Sequence, residues 1–203
     1  MKRQNIGLFF GTFNPIHVGH LILANYMAQL DEMDEVWLIV TPRNPFKAKD
    51  SLLNDIHRLT LVREAVSQNS KLKASNIEFD LPQPNYTVNT LVVLSEKYPE
   101  KNFTLIMGED NLRSFHKWKN YQVILEDYQV VVYPRMYTQS EMSERPKAVE
   151  ELLNHPKVNL IDAPLMKISS STIRNMISEG KDVRYMLSPE VFKYVDEMNF
   201  YKK

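Results

Sequence analysis

The amino-acid sequence predicts an α/β fold: a doubly wound parallel sheet with helices on both faces and a C-terminal helical segment. Two features predict it. Strand-like and helix-like segments alternate along the chain, as in repeated βα units. The strands are also continuous apolar runs, such as NIGLFF (5–10) and EVWLIV (35–40), which suits strands covered on both faces. Right-handed crossovers between such strands wind helices onto both sides.

Taken in order, residues 5–10 read as a buried strand. HVGHLILANYMAQL (17–30) reads as a helix whose apolar face is Leu21, Ala24 and Ala28, and less strictly Leu23 and Met27. The strand 35–40 closes at Thr41-Pro42 and leads into a basic loop, TPRNPFKAKD (41–50). A helix follows over 55–66, with Asn54 or Asp55 as N-cap and Ile56, Leu59 and Arg63 at helical spacing. LKASNIEF (72–79) is predicted as strand, 81–87 as loop, and 88–98 as a helix ended by Pro99. Strands are predicted at 103–108, 129–134 and 157–163, with a helix at 145–155 between the last two. The helix 170–180 has Gly180 past its end, and the helix 188–198 has Ser188 as cap and Pro189 at its first position. The stretch 135–150 is the least structured. No repeat or linker divides the chain, so one domain is expected over 1–203.

Composition narrows the function classes. Lys plus Arg and Asp plus Glu are both 25, so the net charge is zero. A general nucleic-acid or membrane binder needs a basic surplus, so neither partner is expected. There is no cysteine, which excludes disulfides, thiolate zinc sites and a cysteine nucleophile. The apolar run after Met1-Lys2-Arg3 ends at Gly11, too short for a secretory h-region, and no stretch approaches the ~20 apolar residues of a membrane span. A cytoplasmic protein is expected. Homo-oligomer formation is left open.

Ligands of open α/β sheets bind at the carboxyl ends of the strands, near the switch point. The first strand–loop–helix therefore carries the most weight. It contains neither GxGxxG nor GxxxxGK[ST]. It reads instead FFGTFNPIHVGH (9–20), placing two of the five histidines within four residues at a helix start. Gly11 permits a tight turn and a close backbone approach. Residues 17 and 20 share one helix face, and the N–H groups of a helix start favour an anion. Two imidazoles there suit phosphate oxygens. Zinc is a weaker reading, because HxxH lacks an acidic or cysteine partner; one capping and one buried histidine is the alternative without chemistry, which the whole string disfavours. A second candidate is Ser169, Ser171 and Arg174, around the helix start after the last strand. Hydroxyls, N–H groups and a guanidinium would bind phosphate there, although ISSST by itself reads as helix capping. Trp37 reads as core, and His57, His116 and His155 as surface or packing residues.

GTFNPIHVGH (11–20) resembles the GTFDP–HxGH signature of the HxGH nucleotidyltransferases. Within that superfamily the chain resembles bacterial nicotinate-nucleotide adenylyltransferases. NPFKAKD (44–50) is similar to their basic PPHK loop, PNYTVNTL (84–91) to PSYTxxTL, and MGEDNLRSFHKW (107–118) to G-x-D-x-L…W. ISSSTIR (168–174) is similar to ISSTxIR, and MLSPEVFKYVDEMNFY (186–201) to their C-terminal tail. Phe10 stands where the family often has glycine, Asn14 where it often has aspartate, and Phe46 for the loop histidine. Arg135-Met136-Tyr137 replaces Arg-Pro-Gly.

The resemblance implies a Rossmann-like fold, with 168–203 as a phosphate-binding helix and tail packed on it. It implies attack by the 5′-phosphate of nicotinate mononucleotide on the α-phosphorus of Mg²⁺·ATP, giving deamido-NAD and pyrophosphate. The nucleophile is already an anion, so no general base is sought, and catalysis is positioning plus charge stabilisation. His17, His20 and Arg174 are the implied catalytic residues. Gly11, Thr12, Phe13, Gly108, Asp110, Arg135, Ser169 and Ser171 join them around ATP. Asn14, Lys47, Tyr86, Thr87 and Trp118 face the mononucleotide: Lys47 its phosphate, Trp118 its ring, and the backbone at Tyr86–Thr87 its carboxylate. Mg²⁺ comes with ATP, and no protein-held metal is expected. The alternatives are a phosphopantetheine adenylyltransferase, a polyol-phosphate cytidylyltransferase, or a non-catalytic nucleotide-binding module.

Overall fold

A computed structural model describes residues 3–42, 52–135 and 147–203. Among them, parallel strands β1 (Gln4–Gly11), β2 (Glu35–Val40), β3 (Leu72–Ser75), β4 (Lys101–Gly108), β5 (Gln129–Tyr133) and β6 (Val158–Leu160) form one sheet. Its order is β3-β2-β1-β4-β5-β6. The chain winds one way from β1 to β3, crosses to β4, and winds the other way to β6. The fold is therefore Rossmann-like and doubly wound, with the switch point between β1 and β4. Both central strands run out into glycine there, Gly11 and Gly108.

The helices are α1 (Val18–Met27), α2 (Asp55–Val66), α3 (Thr87–Lys97), α4 (Glu109–Leu112), α5 (Tyr121–Asp127), α6 (Lys147–Leu153), α7 (Ser170–Ser178) and α8 (Pro189–Glu197). Alternate strand residues feed two cores, because successive side chains point to opposite faces. Phe9, Leu38, Ile106 and Val131 pack with α1, α2, α7 and α8. Leu8, Ile39, Leu105 and Val132 pack with α3, α5 and α6. Each face is covered, which is why the strands read as unbroken apolar runs. Among the described residues no helix is long and apolar enough to cross a membrane.

The structure corrects several boundaries and faces. The strand expected over 72–79 stops at Ser75. Ser75 Oγ accepts the Ile77 N–H, and Phe79 N–H donates to Asn76 O, so the chain turns there and carries Glu78 inward. The strand expected over 157–163 is Val158–Leu160; its partner β5 ends one residue before Pro134, which has no N–H to extend the ladder. On α1 the buried residues include Leu23, Ala24 and Met27, whereas Leu21 is half-buried. On α2 Asn54 is the N-cap, Ile56 is 67% exposed and Arg63 is exposed. The inward face there includes Leu59, Val62, Val66 and, unexpectedly, Arg58. The short helices α4 and α5 have no counterpart in the sequence reading.

Candidate active site

A cavity of about 440 Å³ opens at the carboxyl ends of the strands. Fourteen of the sixteen residues singled out above line it, from Gly11 on β1 to Arg174 on α7. Gly108 lies just behind the wall; a Cβ there would stand 2.3 Å from Asp110 Oδ1, so only glycine lets that carboxylate fold over the strand end. Asp110 accepts from Arg135 Nε at 3.1 Å. Lys47 falls outside the described residues.

His17 is the N-cap of α1 and His20 its third residue. Their rings stack with centroids 3.7 Å apart. The His17 backbone N–H donates to His20 Nδ1 at 3.3 Å. An amide N–H can only donate, so neutral His20 carries its proton on Nε2. Phe13, at φ 45° and buried, sets its ring edge-on to His20 at 5.1 Å. Its side chain therefore supports the histidine. Burial, and then the Arg135 charge, lower the His17 pKa from 6.5 to about 4, so it is neutral at pH 7. Its Nδ1 is buried with no hydrogen-bond partner among the described residues. Gly19, between the two histidines, is a close-contact position: a Cβ would lie 2.4 Å from Ile168 Cγ2. Glycine here lets the segment before α7 approach α1.

That approach brings the second anion-binding candidate into the same cavity as the histidines. Ser169 is the N-cap of α7, its Oγ accepting from Thr172 N–H at 3.1 Å. Ser170 Oγ donates to Pro15 O at 2.9 Å. Arg174 Nη1 donates to Asn14 O at 2.8 Å, and Nη2 to Ser171 Oγ at 3.3 Å. The capping reading and the phosphate reading thus coexist: Ser169 caps, while the helix start and Arg174 face the cavity. Thr12 and Asn14 complete this wall, Asn14 almost wholly buried.

At the other end, Tyr86 is the N-cap of α3 and Thr87 its first residue. The first N–H groups of a helix have no partner within it, so a carboxylate fits here. Trp118 lines the same end, its ring 5.3 Å from that of Phe115. Lys119 Nζ sits 4.6 Å from the Tyr86 ring centroid.

Several residues here escaped the sequence reading. Arg58 is fully buried. Its Nη1 donates to Thr12 O at 2.6 Å and Thr41 O at 2.9 Å, Nη2 to Pro42 O at 3.3 Å, and Nε to Leu53 O at 3.0 Å. The signal was available: Arg58 stands at i, i+4, i+8 with Val62 and Val66, a core-facing row. Glu78 is 1% exposed and lines the cavity, its Oε1 accepting from Thr90 Oγ1 at 2.6 Å. Burial pushes its carboxyl above the usual range, against the pull of the Thr90 and Thr41 hydroxyls. Lys119 and Tyr201 were also missed. Trp37 is core, as expected, and His57 packs on Tyr194 and Phe200.

Comparison with known proteins accords with this geometry. A cytidylyltransferase-like family model matches residues 8–176. A Flavobacterium johnsoniae protein named a probable nicotinate-nucleotide adenylyltransferase is 55% identical, over 98% of this chain and 100% of its own. A Bacteroides fragilis protein of the same name is 42% identical, over 96% and 92%. The Plasmodium falciparum nicotinic acid mononucleotide adenylyltransferase complexed with NaAD superposes with a TM-score of 0.80 at 20% identity, covering 98% of this chain and 97% of that one; this likeness shows the fold. With such identity over nearly the whole length, the chain belongs to the nicotinate-nucleotide adenylyltransferase family.

Proposed function

We propose that this cavity transfers the adenylyl group of ATP to nicotinate mononucleotide, giving deamido-NAD and pyrophosphate, a step of NAD biosynthesis. The observation that carries this reading is the stacked His17–His20 pair lining one cavity together with the α7 start and Arg174, in a chain of this family. An oxygen of the mononucleotide 5′-phosphate forms a bond to the α-phosphorus. The bond from that phosphorus to the bridging oxygen breaks, and pyrophosphate leaves with the electron pair. No side chain need move a proton. Catalysis is then alignment plus stabilisation of charge on the transferring and leaving phosphates.

In this assignment His20 Nε2–H and His17 donate to the phosphates at the α1 start. The α7 start, Ser171 and Arg174 hold the far phosphates. Gly11, Thr12, the Phe13 backbone, Gly108, Asp110, Arg135 and Ser169 frame the rest of ATP. Asn14 and Lys47 serve the mononucleotide phosphate, Trp118 its ring, and the Tyr86–Thr87 backbone its carboxylate. Mg²⁺ enters with ATP. Among the described residues no three His, Cys, Asp or Glu side chains gather to hold a metal. An ion that comes with ATP is held mainly by phosphates and water, with one or two carboxylates. Asp110, exposed on the cavity wall, fits as one. The ion would supply charge neutralisation on the phosphates.

The test is pyrophosphate release with Mg²⁺·ATP and a panel of acceptors. Nicotinate mononucleotide is expected to turn over fastest. Faster turnover with phosphopantetheine, or with glycerol 3-phosphate and CTP, overturns the assignment.

A further inference from the structure

We propose that Tyr201, in the segment after α8, is a positioning residue for the reaction and acts through Asn14. Tyr201 does not line the cavity, whereas Asn14 does. The Tyr201 hydroxyl donates to Asn14 Oδ1 at 2.8 Å, across 187 residues of sequence. Leu53 N–H donates to the same oxygen at 3.2 Å. A backbone N–H can only donate, so the amide oxygen, not the nitrogen, faces these two groups. A carbonyl oxygen has two lone pairs, and both are engaged. The Asn14 backbone oxygen takes the Arg174 Nη1 bond described above. One buried asparagine therefore joins the β1–α1 loop, the segment before α2, α7 and the tail.

The tail is shaped to deliver that hydroxyl. After α8 the backbone turns back through Asn199 at φ 53° and Tyr201 at φ 64°, left-handed conformations that non-glycine residues adopt at a cost. Phe200 N–H donates to Val195 O at 3.0 Å. The Phe200 ring packs against His57, Tyr194 and Tyr201. Burial raises the pKa of the Tyr201 phenol, so it stays a donor through the alkaline range in which a free tyrosine ionises. Without that bond the Asn14 side-chain oxygen loses one of its anchors, beside the residues that meet phosphate.

The kinetic part of this inference rests on the proposed reaction; the structural part does not. Tyr201→Phe keeps the ring and removes the hydroxyl. It is expected to lower kcat about ten-fold, the upper end of one hydrogen bond, and to speed hydrogen exchange at the Leu53 amide. Asn14→Ala is expected to lower kcat as well, and the Asn14→Ala/Tyr201→Phe double variant to lose nothing more, because both remove one interaction. Asn14→Asp keeps the acceptor and should remain sensitive to Tyr201→Phe; it closes the cycle if the alanine variant does not fold. Wild-type kcat and Leu53 exchange in Tyr201→Phe, or losses that multiply in the double variant, would overturn the inference. If the wild type fails to turn over while Leu53 exchange still responds, the reaction is wrong and the positioning stands.

Discussion

The imidazole rings of His17 and His20 stack nearly parallel, their centroids 3.7 Å apart and their planes 22° from parallel, at the first turn of α1. The pair is built from one cap position and one residue three further on, so the helix itself fixes the spacing. On the proposed reading, the rings stacked at that distance present neighbouring donors to one run of phosphate oxygens. Removing a preorganised donor at a site of developing charge costs about 3 kcal/mol. We therefore expect His17→Ala and His20→Ala each to lower kcat by roughly 10²-fold or more. Turnover and thermal melting measured side by side decide it: wild-type turnover at an unchanged melting point rules the role out.

The buried ring of His17 also makes stability depend on pH. Its folded pKa of about 4 lies below the ordinary 6.5, so the unfolded chain binds the extra proton between those values. The stabilising contribution is whole above pH 6.5 and is lost as pH falls from there toward 4. For the ligand-free protein this amounts to about 2 kcal/mol between pH 7.5 and 5. Urea melts across that range should show the wild type losing more stability than His17→Asn. Bound polyphosphate should narrow the gap, because an adjacent anion raises the pKa of an imidazole. Equal pH slopes for wild type and variant, without ligand, would contradict the burial effect.

These two predictions rest on a motif that was legible in the sequence, and the reason is local. His17, Gly19 and His20 lie in one helical turn, where spacing alone fixes geometry. Strand β1 was equally plain, because an unbroken apolar run needs no partner to be recognised. What escaped reading was long-range. Glu78 faces the cavity because β3 stops at Ser75, an edge strand limited by its pairing with Val36–Ile39. Tyr201 reaches Asn14 through a tail whose turn depends on α8 packing, and no spacing in the sequence links the two. Arg58 stands between these cases. Its row on α2 was visible, but the four carbonyl groups that make a buried guanidinium tolerable come from three separate segments.

Arg58 yields a prediction about folding. Its donors fill the carbonyl groups of Thr12, Thr41, Pro42 and Leu53, and it pairs with Asp55. Arg58→Met keeps a flexible side chain and deletes every donor, leaving those carbonyl groups and Asp55 without it. Each buried carbonyl group left unsatisfied costs about 1–3 kcal/mol, whereas Asp55, 39% exposed, can turn to water. Arg58→Lys retains charge with three donors, without the planar fork, and should fall between. Chemical denaturation of the three proteins gives the order directly. A methionine variant within about 0.5 kcal/mol of wild type, the range of ordinary surface substitutions, would show that Arg58 does not hold these segments together.

Arg174 and Lys47 should separate kinetically. Arg174 lines the cavity from α7 and braces the Asn14 backbone oxygen, so Arg174→Ala should raise the KM for ATP above all and lower kcat through the loosened loop. Lys47→Ala should raise the KM for the mononucleotide, having removed a point charge from its phosphate. Initial-rate matrices in both substrates distinguish the two. Identical effects of both variants on both substrates would argue against two anion sites.

The acid-versus-amide choice separates stacking from selectivity. Trp118 and Tyr86 line one end of the cavity, with Thr87 at the start of α3 beside them. A flat ring gains affinity by lying on an indole, but stacking does not distinguish a carboxylate from a carboxamide. Discrimination needs hydrogen-bond polarity. The first N–H groups of α3 suit two carboxylate oxygens, whereas an amide NH₂ would meet donors with a donor and stay unpaired and desolvated. The helix start adds a partial positive charge that only the acid exploits. Trp118→Ala is therefore expected to weaken nicotinate and nicotinamide mononucleotides alike, by about 1–2 kcal/mol. The ratio of their kcat/KM values should barely move. Steady-state kinetics with both substrates on wild type and variant settle it. A collapse of the preference would place selectivity on the indole. Unchanged affinities for both would remove Trp118 from the binding site altogether.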